Sequence, residues 1–297
     1  MSLPSSIRIG KHVLLLMAVS LAFTGAAVAQ QKAPVPDADA QAEPRQLVRD
    51  IYGDKYRRSE TPGAKTALAR EMLEAAARDK DGSASQFVLL KTAREVAAEA
   101  GDAATVLEAV DRTARTYDVN DLKMKAEALQ VAARNARLPG QRKAIAKEAY
   151  ALVSAASDRD DYETAGELAE LAVAEARKAR EHALAGKIAA SMKEVQERQR
   201  AFAEYEQALA VLEKDPAEPA ANLAAGRYLC LVKQDWDRGI AMLALGSDPQ
   251  LKALAAGDLK PAASADEQVA RGDGWWELAQ TADGRDRQSL MLRAGYW

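Results

Sequence analysis

The chain of 297 residues contains one cysteine and two histidines. A single thiol, Cys230, leaves no internal disulfide, so stability has to come from packing. Cys230 lies in the apolar run Tyr228-Leu229-Cys230-Leu231-Val232, which suits a small buried hydrophobe better than a reactive thiol. Only one histidine, His182, lies beyond residue 29. That excludes multi-histidine metal sites, and any histidine-activated nucleophile would depend on His182 alone. His182 follows Glu181 at a charged helix start, where a solvated or capping role fits. The sequence also lacks a glycine-rich phosphate loop, an HExxH pattern and a Cys-x-x-Cys pair.

Asp158-Arg159-Asp160-Asp161 has the look of a calcium loop, but such a loop begun at Asp158 needs glycine where Glu163 stands and a bidentate glutamate where Ala169 stands. The expectation is instead an acidic cluster facing the positive end of a helix. Other carboxylates fall at helix starts and on charged faces, where solvated or capping roles are usual. No catalytic residue, cofactor or metal is expected, and the chain is not expected to be an enzyme. Aromatics are scarce at 5%, against 48% hydrophobic residues overall, so the core must be built from Ala, Leu and Val, and small side chains favour closely packed helices. No dense basic surface is present, which argues against nucleic acid as a ligand.

What is present begins with a targeting segment. Residues 1–29 carry Arg8 and Lys11, an apolar run over 13–23 and the small-residue ending Ala27-Val28-Ala29, the pattern of a signal peptide cleaved before Gln30. The run is shorter than the roughly 20 residues a membrane span needs, and no comparable run follows. The expectation is an exported protein, periplasmic or extracellular, with no membrane span after cleavage. Removing these residues takes the net charge from −3 to −5. Residues 30–44, with three prolines and scarcely any large apolar side chain, read as a flexible leader.

From there the pattern is helical throughout. Residues 222–249, NLAAGRYLCLVKQDWDRGIAMLALGSDP, read as a helix, a tight turn, a second helix and a stop. Leu223, Ala224, Tyr228 and Leu231 on the first would face Ile240, Leu243, Ala244 and Gly246 on the second. Gly226 and Gly239, lacking a Cβ, fit where the two backbones approach closely. The unit resembles a tetratricopeptide repeat, with glycine spacings one residue away from that motif. Upstream, Thr61-Pro62, Ser83, Asp102 and Asn120 read as helix caps. The steps from Ser83 to Asn120 and from Asn120 to Ser157 are both 37 residues, an interval suited to a two-helix repeat. One helix of about thirty residues is expected from His182, broken at Asp215-Pro216-Ala217-Glu218-Pro219. The predicted architecture is an all-α, tetratricopeptide-like solenoid of helical hairpins, with N-terminal repeats over 45–215 and C-terminal repeats over 216–297.

The phrases just quoted, with IYGDKY, FVLLKTAREVAAEAGDAATVLEAVDRTARTYDV, VARGDGWWELAQ and LMLRAGYW, make most of the chain resemble uncharacterised exported helical-repeat proteins of planctomycete type. In that group the helix matching LMLRAGYW usually runs on, and some members carry further, often lectin-like, binding domains. The resemblance implies a helical-repeat fold and assigns no activity.

The four tryptophans, Trp236, Trp275, Trp276 and Trp297, all fall in the last 62 residues. Trp275 and Trp276 point about 100° apart on a helix, so they cannot be equally buried. With Tyr296 they are the candidate partner-binding residues, although wedging between alanine-rich helices would also account for them. The final helix ends on Tyr296-Trp297 with its apolar stripe unfinished, and the expectation is that this stripe is covered by a partner, a second copy or further residues. The function expected is a scaffold for a protein or peptide partner in the cell envelope. A glycan stacked on the C-terminal tryptophans is the alternative and an enzyme the third reading, while self-association through the C-terminal helix is a further contact the sequence allows.

Overall fold

The computed structural model describes residues 32–262 and 264–297. The expected signal peptide therefore lies outside the described residues. Among these, thirteen α-helices and one π-helical segment account for the regular structure, and the fold is all-α. No helix of the described residues is long and apolar enough to cross a membrane.

The first eight helices are α1 (Ala42–Arg58), α2 (Pro62–Arg78), α3 (Ala84–Glu99), α4 (Ala103–Thr116), α5 (Asp121–Asn135), α6 (Pro139–Asp158), α7 (Tyr162–Lys178) and α8 (His182–Leu212). Each packs on the next, joined by short turns that force neighbours to run antiparallel. Each also packs on the helix two places along, α1 on α3 on α5 on α7, and α2 on α4 on α6 on α8. Odd and even helices thus form two layers. Their caps follow from the sequence: Thr61, Ser83, Asp102, Asn120 and Asp161 each accept a backbone N–H from the first turn.

Three turns share one design. After α3, α6 and α7 the chain turns in three residues whose middle member is left-handed, Gly101 at φ 68°, Asp160 at 61° and Arg180 at 62°. In each, the third residue's N–H reaches back five positions, Asp102 to Ala97, Asp161 to Ala156 and Glu181 to Ala176. This is a Schellman closure, which normally prefers glycine at the left-handed position. Only the first turn uses it. The 37-residue spacing also gives way here: Ser157 is buried inside α6, its hydroxyl donating to the Val153 carbonyl at 2.9 Å, and Asp161 caps α7 in its place.

Upstream of α1, Ala33 pairs with the end of α4. Its N–H donates to the Thr116 carbonyl at 2.8 Å, and its own carbonyl accepts from Asp118 N–H at 2.9 Å. The proline-containing stretch read as a leader is therefore held at this point, and α1 starts at Ala42. The pairing fixes Tyr117, whose hydroxyl donates to the Ser83 carbonyl at 2.6 Å and whose ring meets the edge of Phe87.

The second half comprises α9 (Pro219–Arg227), a π-helical segment (Tyr228–Val232), α10 (Trp236–Leu245), α11 (Pro249–Asp258), α12 (Ala265–Thr281) and α13 (Gly284–Tyr296). The close approach expected at two glycines is present: a Cβ on Gly239 would lie 2.5 Å from Cys230 Sγ, and one on Gly226 would lie 2.8 Å from Leu243. The helix between them is not α throughout, because Lys233 N–H closes on the Tyr228 carbonyl five residues back. Buried side chains gather in one large cluster from Val48 to Val195 and another from Cys230 to Leu290. A small one, Ala208, Ala221 and Ala225, lies between α8 and α9, where the two halves meet.

Candidate partner-binding surface

The C-terminal aromatics divide into an inner and an outer set. Trp275 is fully enclosed, at 0% exposure, and offers no surface to a partner. Its indole N–H donates to Asp258 Oδ1 at 3.1 Å, and its ring meets Trp236 edge-on at 5.3 Å. Gly274, the residue immediately before it, makes room for the neighbouring helix, since a Cβ there would lie 2.7 Å from Leu254 Cδ2. Asp258, the last residue of α11, has a side chain only 1% exposed. Its Oδ2 accepts from both Arg293 Nε and Arg293 Nη2 at 2.8 Å.

The Arg293 guanidinium lies over three rings, 4.5 Å from Tyr296, 5.0 Å from Trp236 and 5.8 Å from Trp297. Arg271 covers Trp297 at 4.7 Å while donating to the Lys260 carbonyl at 2.7 Å. These contacts join α10, α11, α12 and α13 through cation–π attraction around one buried carboxylate. Of the five residues expected to meet a partner, Trp236 and Trp297 are half-buried and engaged with guanidinium groups. Tyr296 is 70% exposed, with Arg293 on its ring. Trp276 is 51% exposed and carries no cation on its ring among the described residues. Val269, on the same stripe of α12, is 59% exposed.

A second polar cluster lies where the halves meet. The Tyr228 hydroxyl donates to Asp160 Oδ1, which also takes Lys233 Nζ at 2.8 Å, and Lys233 reaches the Asp158 carbonyl at 2.7 Å. The Tyr162 and Tyr228 hydroxyls lie 3.1 Å apart, and both rings pack at a tilt against Phe202 of α8, at 5.5 and 5.6 Å. Burial and the neighbouring Asp160 hold the Tyr228 hydroxyl in its protonated form far above the ordinary phenol range, and burial raises Tyr162 as well. Burial likewise pushes the Cys230 thiol up to about 12, so it is not a thiolate near neutral pH. Such an arrangement fixes geometry and supplies no activated nucleophile. His182 is exposed at the start of α8. Among the described residues no three His, Cys, Asp or Glu side chains are grouped to hold a metal ion.

Sequence reasoning missed Asp258 and Arg293, and read Asp160 as part of an acidic cluster at a helix start, where Asp161 is the cap and Asp160 instead takes Tyr228 and Lys233. Nothing in their local spacing marks them, because the hydrogen bonds that join Asp258 to Trp275 and Arg293, and Asp160 to Lys233, span 17, 35 and 73 positions. Comparison with family models, curated proteins and solved structures yields no match for this chain.

Proposed function

We propose that this protein is an exported, non-enzymatic helical-repeat scaffold of tetratricopeptide-like solenoid type that binds a protein or peptide partner in the cell envelope. Kinship with the planctomycete-type exported proteins belongs to the same reading. The observation that carries it is the division of the aromatics. Four helices spend Trp236, Trp275 and Trp297 on internal contacts, yet leave Trp276 and Val269 on the outer face of α12 and Leu292 and Tyr296 on that of α13. Exposed Trp and Tyr on a rigid support are the side chains most often found at the centre of protein interfaces. The two-layer packing of antiparallel helices supports the repeat reading, and the pattern of residues 1–29 supports export.

Glycan binding would fall to Trp276, whose ring carries no guanidinium among the described residues, and to Tyr296, 70% exposed with Arg293 over one face, because Trp236 and Trp297 are half-buried beneath guanidinium groups. A photo-crosslinking amino acid at position 276, expressed in the native cell, tests the scaffold reading. A defined envelope protein attached there, and absent when the probe is moved to an acidic position on α7, is the expected result. A fluorescence shift of the purified chain with cell-wall polysaccharide, lost in Trp276→Ala, would replace it with the glycan reading.

A further inference from the structure

Helix α12 keeps one side open among the described residues. At about 100° per residue, Val269 and Trp276 form one line along it, and Asp266, Asp273 and Glu277 form a second line roughly 70° further round. All five side chains are exposed, Val269 at 59% and Trp276 at 51%. The other flank of the tryptophan line belongs to α13, since a Cβ on Gly272 would lie 3.0 Å from the Ala294 carbonyl oxygen. The far side meets α11, through Gly274 against Leu254. The acidic line is therefore the edge that faces solvent.

Asp266, Asp273 and Glu277 have no hydrogen-bond or ion-pair partner on their side chains among the described residues. Asp266 lies in the first turn, where negative charge suits the helix dipole. The other two do not serve α12 itself, because like charges at i, i+4 repel and Glu277 stands towards the C-terminal end, where the dipole disfavours a carboxylate. Nearby cations are spent elsewhere: Arg271 on Trp297 and the Lys260 carbonyl, Arg293 on Asp258. Arg285 lies 4.0 Å from Glu197, and Arg287 donates to Gln280 Oε1 at 3.2 Å, beyond the last carboxylate of the line. Lys252 and Lys260 make no ion pair with the three carboxylates.

We propose that this edge docks a basic amphipathic helix of the partner. An apolar residue of that helix packs on Trp276 and Val269, while its lysines or arginines meet Asp266, Asp273 and Glu277. The proposal rests on the scaffold reading and names the chemistry of the partner. The steps from 266 to 273 and from 273 to 277 cover about 10.5 and 6 Å along the axis, which side chains on one face of a second helix at a shallow crossing angle reproduce. An extended strand, whose same-face side chains repeat every ~6.8 Å, matches only the shorter step. Nucleic acid and anionic lipid surfaces are repelled by the same line. The tryptophan supplies affinity, and the ion pairs supply orientation and salt dependence.

Fluorescence anisotropy of a labelled synthetic helix, titrated with the purified chain, tests this. The probe is a peptide of about twenty residues with leucine on one face and lysine on the other, long enough to form a helix. It should bind with an affinity that falls as salt rises, and the version with glutamate in place of lysine should not bind. Trp276→Ala should weaken binding by about 30-fold, the scale of losing a central tryptophan contact. Asp273→Lys with Glu277→Lys should weaken it by about tenfold or more. Glu163→Lys with Glu170→Lys, exposed positions on α7 with the same change of net charge, should leave binding within about twofold, since distant charges are screened. No binding of the lysine peptide, equal binding of the glutamate version, or an equal loss from the α7 pair would overturn the proposal. In the native cell, an envelope protein that crosslinks from position 276 equally well when Asp273 and Glu277 are both replaced by lysine would overturn it while leaving the scaffold reading intact.

Discussion

The Asp258 carboxylate accepts from three N–H groups, the Trp275 indole on one oxygen and two guanidinium nitrogens of Arg293 on the other. Truncation to Asp258→Ala would leave Arg293 enclosed by aromatic rings with no counter-ion, and breaking a buried pair in this way costs about 3–5 kcal/mol. Urea unfolding followed by tryptophan fluorescence should show that loss, and Arg293→Met, which removes the stranded charge and keeps apolar contact with the rings, should cost less. A loss below 1 kcal/mol for Asp258→Ala would mean that the rings alone hold α11, α12 and α13 together. Tyr117 gives a second test. Burial raises its hydroxyl from 10.0 to about 12. Below pH 10 both folded and unfolded chains keep the proton, so the contribution is fully present. Between pH 10 and about 12 the unfolded chain releases it first, and stability falls as pH rises, by on the order of 2–3 kcal/mol. Stability measured at pH 9 and pH 11.5 should therefore drop less in Tyr117→Phe than in the wild type.

At the scale of elements, the left-handed turn residues Asp160 and Arg180 have nearly the same backbone geometry, φ 61° and 62°, and different surroundings. Arg180 is exposed, so Arg180→Gly relieves the left-handed strain and should stabilise the chain by roughly 0.5–1 kcal/mol, net of the extra freedom glycine gives the unfolded state. Asp160→Gly relieves the same strain but strands Lys233 and two tyrosine hydroxyls, and should destabilise by about 1–3 kcal/mol. Thermal melts of the two variants, moving in opposite directions, are the expected outcome. These turns also show which features were legible in the sequence. Helix content was, because alanine-rich stripes and Ser, Thr, Asp and Asn caps are local signals, and so was the close packing at Gly226 and Gly239. The 37-residue repeat stopped at Ser157 because a Ser at a helix end can donate back into its own helix as readily as cap the next. The π segment was invisible because no local pattern marks it; its first residue, Tyr228, bonds Asp160, 68 positions away, and its ladder closes from Lys233 N–H to the Tyr228 carbonyl. At the surface, the sequence showed that Trp275 and Trp276 must differ in burial, but not which of them faces outward. That depended on Asp258 and Leu254 lying on the Trp275 side.

For the whole molecule, residues 32–297 form one compact unit although the large buried clusters are separate. What joins them is the aromatic cluster of Phe202 and Tyr205 on α8 with Tyr162 of α7 and Tyr228 of the π segment, and the Lys233 link from that segment to the α6–α7 turn. Helical arrays of nearest-neighbour contacts unfold as one body only while such junctions outweigh the difference in stability between their parts. All four tryptophans lie at or beyond position 236, so fluorescence reports the C-terminal helices alone, whereas far-ultraviolet circular dichroism reports every helix. In the wild type the two signals should share one denaturant midpoint. Replacing Tyr228 by Phe and Lys233 by Met together removes the polar link while retaining most of the apolar packing. The C-terminal helices should then unfold first, so that the fluorescence midpoint falls below that of circular dichroism and the latter becomes biphasic. If the two signals remain superimposed in the double variant, the aromatic cluster around Phe202 is sufficient to couple the halves, and Phe202→Ala becomes the substitution that should separate them.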